Sequence, residues 1–239
     1  MASTYSTDAQ LEIVTTGEKA GQWGGINNTN LQILEQTATG VLDVDISAGS
    51  STLVLTDGAT SNGKNIYLRL YGTLAANRTL TMPVTAERVW IIKDETVRGN
   101  SNYTVGVLTT SGATQPVPPG ATVLCKSNGS ETVVTVIEKG YATITNSNTP
   151  YTAVAGAQIL ANTTAAIITV TLPAAASTGD EVTIIDARGT WGSNNLTVDR
   201  NGLNINSAAS NLTLITNGQS ITLVYVDATR GWAYKTNTA

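Results

Sequence analysis

The chain has 239 residues, with 13 Lys plus Arg against 17 Asp plus Glu, no His, no Phe and one Cys. A net charge of −4 and a pI near 4.8 leave no basic face to neutralise phosphates, which argues against nucleic-acid binding, and the lack of His removes imidazole bases and imidazole metal ligands. No apolar run nears the roughly 18 residues that span a bilayer, and the polar start Met1 to Tyr5 does not read as a secretory signal. The chain is therefore expected to be made and held in a cytoplasm, without membrane insertion.

Only 13% of residues are charged, and Thr, Ser, Asn and Ala fill the polar positions. Such side chains are cheaply desolvated against another polar surface, so the composition suits a protein covered by copies of itself. The single Cys125, in Val123-Leu124-Cys125, reads as a small buried hydrophobe.

In chain order, Gly17 to Gly25 is Gly-rich around Trp23. Asn27, Asn28 and Asn30 then offer N-cap side chains before Leu31, Leu34 and Ala38 at helical spacing, and Gly40 stops the pattern. This predicts a short helix over 28–39, too short to stand alone in water, which packs either on its own domain or into a neighbour. From Val41 the text is strand after strand. Val41 to Ile46, Leu53 to Thr56 and Ile66 to Leu70 are short apolar or alternating runs, divided by turns such as Asp57-Gly58 and Asn62-Gly63.

The later strands echo the earlier ones. Thr79-Leu80-Thr81-Met82-Pro83 returns as Thr169-Val170-Thr171-Leu172-Pro173, and Val89 to Asp94 returns as Val182 to Asp186. Asn102-Tyr103-Thr104-Val105 matches Asn195-Leu196-Thr197-Val198, and Gly120 to Leu124 matches Gly218 to Leu223. The order predicts a duplicated module: a docking segment at 1–40, a first β module at 41–144 and a second at 145–239, joined near Asn146 to Pro150. Antiparallel sandwich or jelly-roll packing is the expected all-β fold of both.

The search for chemistry finds no catalytic residue, no metal site and no cofactor motif. Without His there is no nucleophilic triad, and the Gly-rich stretches lack the Lys and the strand-loop-helix context of a phosphate loop. Paired carboxylates, as in a polysaccharide-cleaving fibre, are the one enzymatic route left. The candidates are Asp94 with Glu95, Asp180 with Glu181, Asp43 with Asp45, and Asp186 near Asp199. Adjacent residues of a strand face opposite ways, which removes the first two pairs, and a solvated face is the better account of the third. Asp199 to Gly202 reads as a tight turn rather than a calcium loop. Trp191, beside Asn194 and Asn195, is a candidate contact for a sugar or a protein, with a Trp plug in the β core as the favoured alternative. Trp232 and Tyr234, at period two on a terminal strand, read as core or subunit contact.

The stretch Gly17-Glu18-Lys19-Ala20-Gly21-Gln22-Trp23-Gly24-Gly25-Ile26-Asn27-Asn28-Thr29-Asn30-Leu31-Gln32-Ile33-Leu34-Glu35 resembles the amino-terminal segment of tail-fibre-like proteins of tailed phages infecting marine bacteria and cyanobacteria. Gly72 to Pro83 is similar to a strand pair of the same proteins, and Leu172 to Trp232 resembles another fibre module. The resemblance implies a virion protein, commonly a homotrimer. It would dock to other tail proteins through Trp23, Asn27, Asn28, Asn30, Leu31 and Leu34, and present β modules to a host glycan or protein. The chain is short and has no long shaft, which leaves a capsid-decoration role as the alternative.

Overall fold

The structure is a computed structural model that describes residues 4–84, 87–99, 102–110, 112–128 and 130–238; residues 1–3 of the expected docking segment lie outside them. The protein is mostly β, with one α-helix, α1 (Trp23–Thr39). That helix begins five residues before the expected start. Gln22 is the N-cap and makes no side-chain cap bond, so Asn27, Asn28 and Asn30 lie inside the helix instead of capping it. The helix ends where Gly40 donates its N–H to Gln36 O. A Cβ on Gly40 would stand 2.3 Å from that oxygen and 2.6 Å from Asn65 Oδ1, so only glycine fits.

Among the described residues, nine strands of the two main sheets follow in the first half: β1 (Val41–Asp45), β2 (Ser51–Thr52), β3 (Tyr67–Tyr71), β4 (Arg78–Met82), β5 (Glu87–Asp94), β6 (Val105–Thr109), β7 (Gln115–Val117), β8 (Thr122–Asn128) and β9 (Thr132–Glu138). Nine more make the second: β10 (Tyr141–Thr145), β11 (Tyr151–Thr152), β12 (Gln158–Asn162), β13 (Ile168–Thr171), β14 (Glu181–Asp186), β15 (Leu196–Asp199), β16 (Leu212–Leu214), β17 (Ser220–Asp227) and β18 (Gly231–Thr238). Two-residue ladders also join Thr4–Tyr5 to Glu12–Ile13 and Thr73–Leu74 to Val97–Arg98. Leu53 to Thr56, expected as a strand, is irregular after Ser51–Thr52. There Val54 N–H is taken by Asn62 Oδ1 at 2.7 Å and Val54 O by Gly63 N–H, which ties the segment into a loop rather than a ladder.

The strands form β-solenoid-like stacks, which corrects the antiparallel sandwich or jelly-roll expectation. In the first half the five-stranded sheet runs β9-β8-β5-β3-β1 and the four-stranded sheet β7-β6-β4-β2. β1, β3 and β5 are mutually parallel, as are β2, β4 and β6, so the chain winds three times between the two sheets. The winding stops when β7 and β8 return antiparallel. The second half repeats this, with sheets β10-β12-β14-β17-β18 and β11-β13-β15-β16. Again three parallel rungs are closed by antiparallel β16 and β17. Short apolar runs buried on one face read alike in either direction, which is why periodicity alone pointed to the commoner antiparallel pairing.

Each strand of one half therefore has a counterpart nine strands later. Ile92 pairs with Val123 and Ile184 with Ile221, so the matched Gly120 and Gly218 segments are structural equivalents. The Asn102/Asn195 match is two residues out: Leu80 and Val170 are equivalent, and their partners are Val107 and Val198, not Val105 and Val198.

By contacts the chain divides into two compact units, one of residues 1–97, 105–117 and 122–137, the other of 98–104, 118–121 and 138–239. In the first, Leu68, Leu70, Leu80, Trp90, Ile92, Val107, Val123 and Cys125 are fully buried. In the second, Ile159, Val170, Val182, Ile184, Trp191, Val198, Leu223 and Trp232 are. Alternation along each strand drives this, each such side chain contributing about 1.5–3 kcal/mol on leaving water.

Candidate docking surface

α1 carries two distinct faces. Ile33 is fully buried, and Ile26, Asn30, Gln36 and Thr37, on the same side, are half-buried. This side is pinned by side-chain hydrogen bonds. Asn30 Oδ1 accepts Glu12 N–H at 3.0 Å while Asn30 Nδ2 donates to Glu12 O at 2.9 Å, and Gln36 Oε1 accepts Ser61 N–H at 3.3 Å. The amide of Asn30 thus copies a strand's pairing of one residue, holding the early hairpin to the helix.

Trp23, Asn27, Leu31, Leu34 and Ala38 recur at three- and four-residue steps on the other side, and all are exposed. Trp23 is 65% accessible, Leu31 55% and Leu34 45%, exposed apolar side chains with Asn27 between the first two, on a helix whose own packing is already met by Ile33. The six residues expected to dock are therefore divided: Trp23, Asn27, Asn28, Leu31 and Leu34 face outward, whereas Asn30 is used within the fold.

A second difference appears on the outer face of the five-stranded sheets. In the first module Val41, Tyr67, Ile91 and Leu124 lie in one cross-strand row. The equivalent row of the second is Tyr141, Gln158, Thr183 and Thr222. There Thr183 and Thr222 bond through their hydroxyls at 3.0 Å. The module folds with a hydrogen-bonding row at this place, so the apolar row of the first is not a requirement of its architecture.

The aromatic contacts expected on the carboxy-terminal module are placed otherwise. Trp191 and Trp232 are both fully buried, so neither is available as a contact residue and the core alternative holds for both. The loop that carries Trp191 folds inward because Trp191 N–H donates to the buried Asp186 carboxylate at 3.2 Å. Tyr225 stacks edge-on against Trp232 at 5.7 Å. Asn194 is half-buried and donates Nδ2 to Thr164 O at 3.2 Å, Asn195 is half-buried, and Tyr234 is 37% exposed.

The carboxylates are occupied in the fold. Asp43 receives the Arg69 guanidinium through Nε at 2.8 Å, and Asp180 Oδ2 accepts Ser177 N–H at 2.8 Å. Glu181 is paired with Lys235, with Lys139 3.7 Å away, and the Lys235 bond first among these holds its carboxyl below the usual range. Burial pushes the Asp186 carboxyl up, but the backbone N–H groups of Gly218, Thr190, Trp191 and Arg188 outweigh it and hold the group below its ordinary value. Asp199 Oδ1 accepts Asn201 N–H at 2.7 Å, the tight turn expected there. Burial raises the Cys125 thiol to about 12.

One placement escaped the sequence. Lys64 is fully buried, its ammonium donating to Thr56 O and Ala59 O at 2.7 Å each. Asp94 and Asp186 recur at equivalent strand ends, a signal present in the duplicated text but not in either module alone. Among the described residues no group of three or more acidic or Cys side chains could hold a metal ion, and no helix is long and apolar enough to cross a membrane.

No family model matches the chain, and no curated protein matches it. Among solved structures it is similar to a chain described as "Structure of a chaperone-substrate complex", at a TM-score of 0.36 and 16% identity, over 81% of this chain and 32% of that one. The chain spans about a third of that protein's length, and a likeness at this level carries no argument about fold or function.

Proposed function

We propose that the chain is a non-enzymatic structural protein of a phage virion, a tail fibre or tail-attached component that docks through α1 and presents its β modules for host attachment. It works as a repeated copy, with a homotrimer as the assembly unit. The observation that carries this reading is the outward stripe of Trp23, Asn27, Leu31 and Leu34 on a helix already held to its own module by Ile33 and Asn30. A partner can cover that stripe without unfolding anything. The engagement of Asp43, Asp180, Glu181 and Asp186 within the fold supports the non-enzymatic part.

The test is a complementation experiment in which infected cells supply the Leu31→Asp, Leu34→Asp double variant in place of the natural chain. The expected result is a folded protein that is missing from purified particles. Normal incorporation would overturn docking through α1, and binding of the natural protein to purified heads would replace it with capsid decoration.

A further inference from the structure

The edge strand β9 is left unprotected. Four features of the strand and its surroundings argue this. It is the terminal strand of its five-stranded sheet, with β8 as its neighbour. Its residues are Thr132-Val133-Val134-Thr135-Val136-Ile137-Glu138, with no Pro and no Lys, and Val133 and Ile137 are 61% and 55% exposed. Such an edge is what soluble proteins ordinarily blunt with charge, proline or a bulge. The counterpart edge, β18, is blunted: it carries Lys235 and Asn237 and two register irregularities against β17. The same architecture thus protects one edge and leaves the other open.

We infer that β9 joins β9 of a second copy, antiparallel about a two-fold axis at Thr135, so that two five-stranded sheets become one. The occupant is fixed by complementarity. Centred on Thr135, the pairing sets Val133 against Ile137 of the copy, Thr135 against Thr135, and Val134 against Val136 on the inner face, all β-branched partners suited to cross-strand contact. It also sets Glu131 against Lys139, the residue after the strand, once at each end, and both are exposed. Moving the centre to Val134 puts Glu131 against Ile137, and moving it to Val136 puts Lys139 against Val133; both lose the charge pairs. Among the described residues Lys139 pairs with Glu181 at 3.7 Å, a long contact that a turn of the side chain can exchange for Glu131 of the copy. The hairpin sets the phase: Asn128 N–H donates to Glu131 O, so odd-numbered residues of β9 bond toward β8 and even-numbered amides point outward. Thr135 and its mate then form a non-hydrogen-bonded pair, with Cα atoms about 4.5 Å apart.

This deepens the proposed role as a repeated copy by naming one contact between copies, and it fails separately from that role, because docking through α1 is read from particle incorporation and this contact from solution mass. The experiment is sedimentation of the full chain over a concentration series, with four variants. The natural chain is expected at an even multiple of its 24.8 kDa, since a two-fold contact joins single chains or trimers in pairs, and Thr135→Lys, which sets two ammonium groups face to face, is expected at half that mass. Glu131→Lys and Lys139→Glu are each expected to dissociate, and the double exchange to restore the pair. Thr135→Cys is expected to give a covalent dimer on mild oxidation, since its Cα separation lies within disulfide range, whereas Thr143→Cys, on the exposed side of β10, stays single. A natural chain that sediments as a single copy or as an unpaired trimer throughout, an assembly untouched by Thr135→Lys, or a double exchange that fails to restore it would overturn the inference.

Discussion

Asp94 and Asp186 hold the same position in the repeated module: each ends the third-rung strand, beside Leu70 and Ala161 respectively, and each turns its carboxylate onto the backbone that leaves the strand. Asp94 Oδ1 accepts Thr96 N–H at 3.0 Å and Thr96 Oγ1–H at 2.6 Å. Asp186 accepts Arg188 N–H and Trp191 N–H at 3.2 Å and Gly218 N–H at 3.0 Å. Each lies on the last parallel strand of its five-stranded sheet, the one against which β8 or β17 returns antiparallel.

Asp186→Asn replaces an acceptor oxygen with an NH₂ facing backbone donors. It is expected to cost about 1–3 kcal/mol, a fall of roughly 4–8 °C in Tm for each kcal/mol in a module of this size. The pH dependence follows from the lowered carboxyl of the folded state. The contribution is whole above the unfolded group's value of about 3.9 and disappears as pH falls through the lower folded value. Thermal melts of the two proteins should therefore differ fully at pH 6 and converge below about pH 4. A constant gap across that range would contradict the assignment.

On α1, Ile33→Ala is expected to destabilise by about 2–5 kcal/mol, because it opens a cavity under the helix. Leu34→Ala, one residue further on and 45% exposed, should change stability by less than about 0.5 kcal/mol. Urea unfolding followed by Trp fluorescence reads both, and equal losses would show that the stripe is packed in the isolated chain.

Cys125 is fully buried, and its thiol is pushed up to about 12 by that burial. Since thiolate is the reactive form, a thiol reagent at pH 8 should label none of the native protein and one thiol per chain after denaturation. Prompt labelling of the native protein would mean that the first module opens readily.

The indole Nε1 of Trp191 is buried and has no hydrogen-bond partner among the described residues. Trp191 works there as volume and not as a donor. Trp191→Phe should accordingly cost much less than Trp191→Ala, for which about 3–5 kcal/mol is expected from the cavity left behind. Equilibrium denaturation decides it, and equal losses would point to a hidden polar partner for the indole.

The all-β class, the short helix, the repeat order and the burial of Cys125 were legible because each rests on local pattern. Leu80 and Val170 sit at the same phase of an alternating strand, and that phase survives in the text. Strand direction was not legible. Whether Leu68 pairs with Val44's strand or against it depends on how a loop of some twenty residues closes, and alternation is blind to that. A buried Trp191 was the favoured reading, but the means were hidden: the loop looks polar and Gly-rich, and Asp186 draws its amides inward. Asn30 looked like a cap and serves instead as a clamp on Glu12, a contact between residues 18 apart that no helix rule addresses.

The parallel winding makes module length adjustable. From Tyr67 to Ile91, and again from Gln158 to Thr183, the chain completes one turn and returns to the same phase of the same sheet. A duplication of such a segment would add one rung, lengthening the module by about 4.8 Å, while Asp94 or Asp186 and the returning strands still close the end. The length of each stack is thus set in fixed steps by its number of rungs, with the same returning strands at the end.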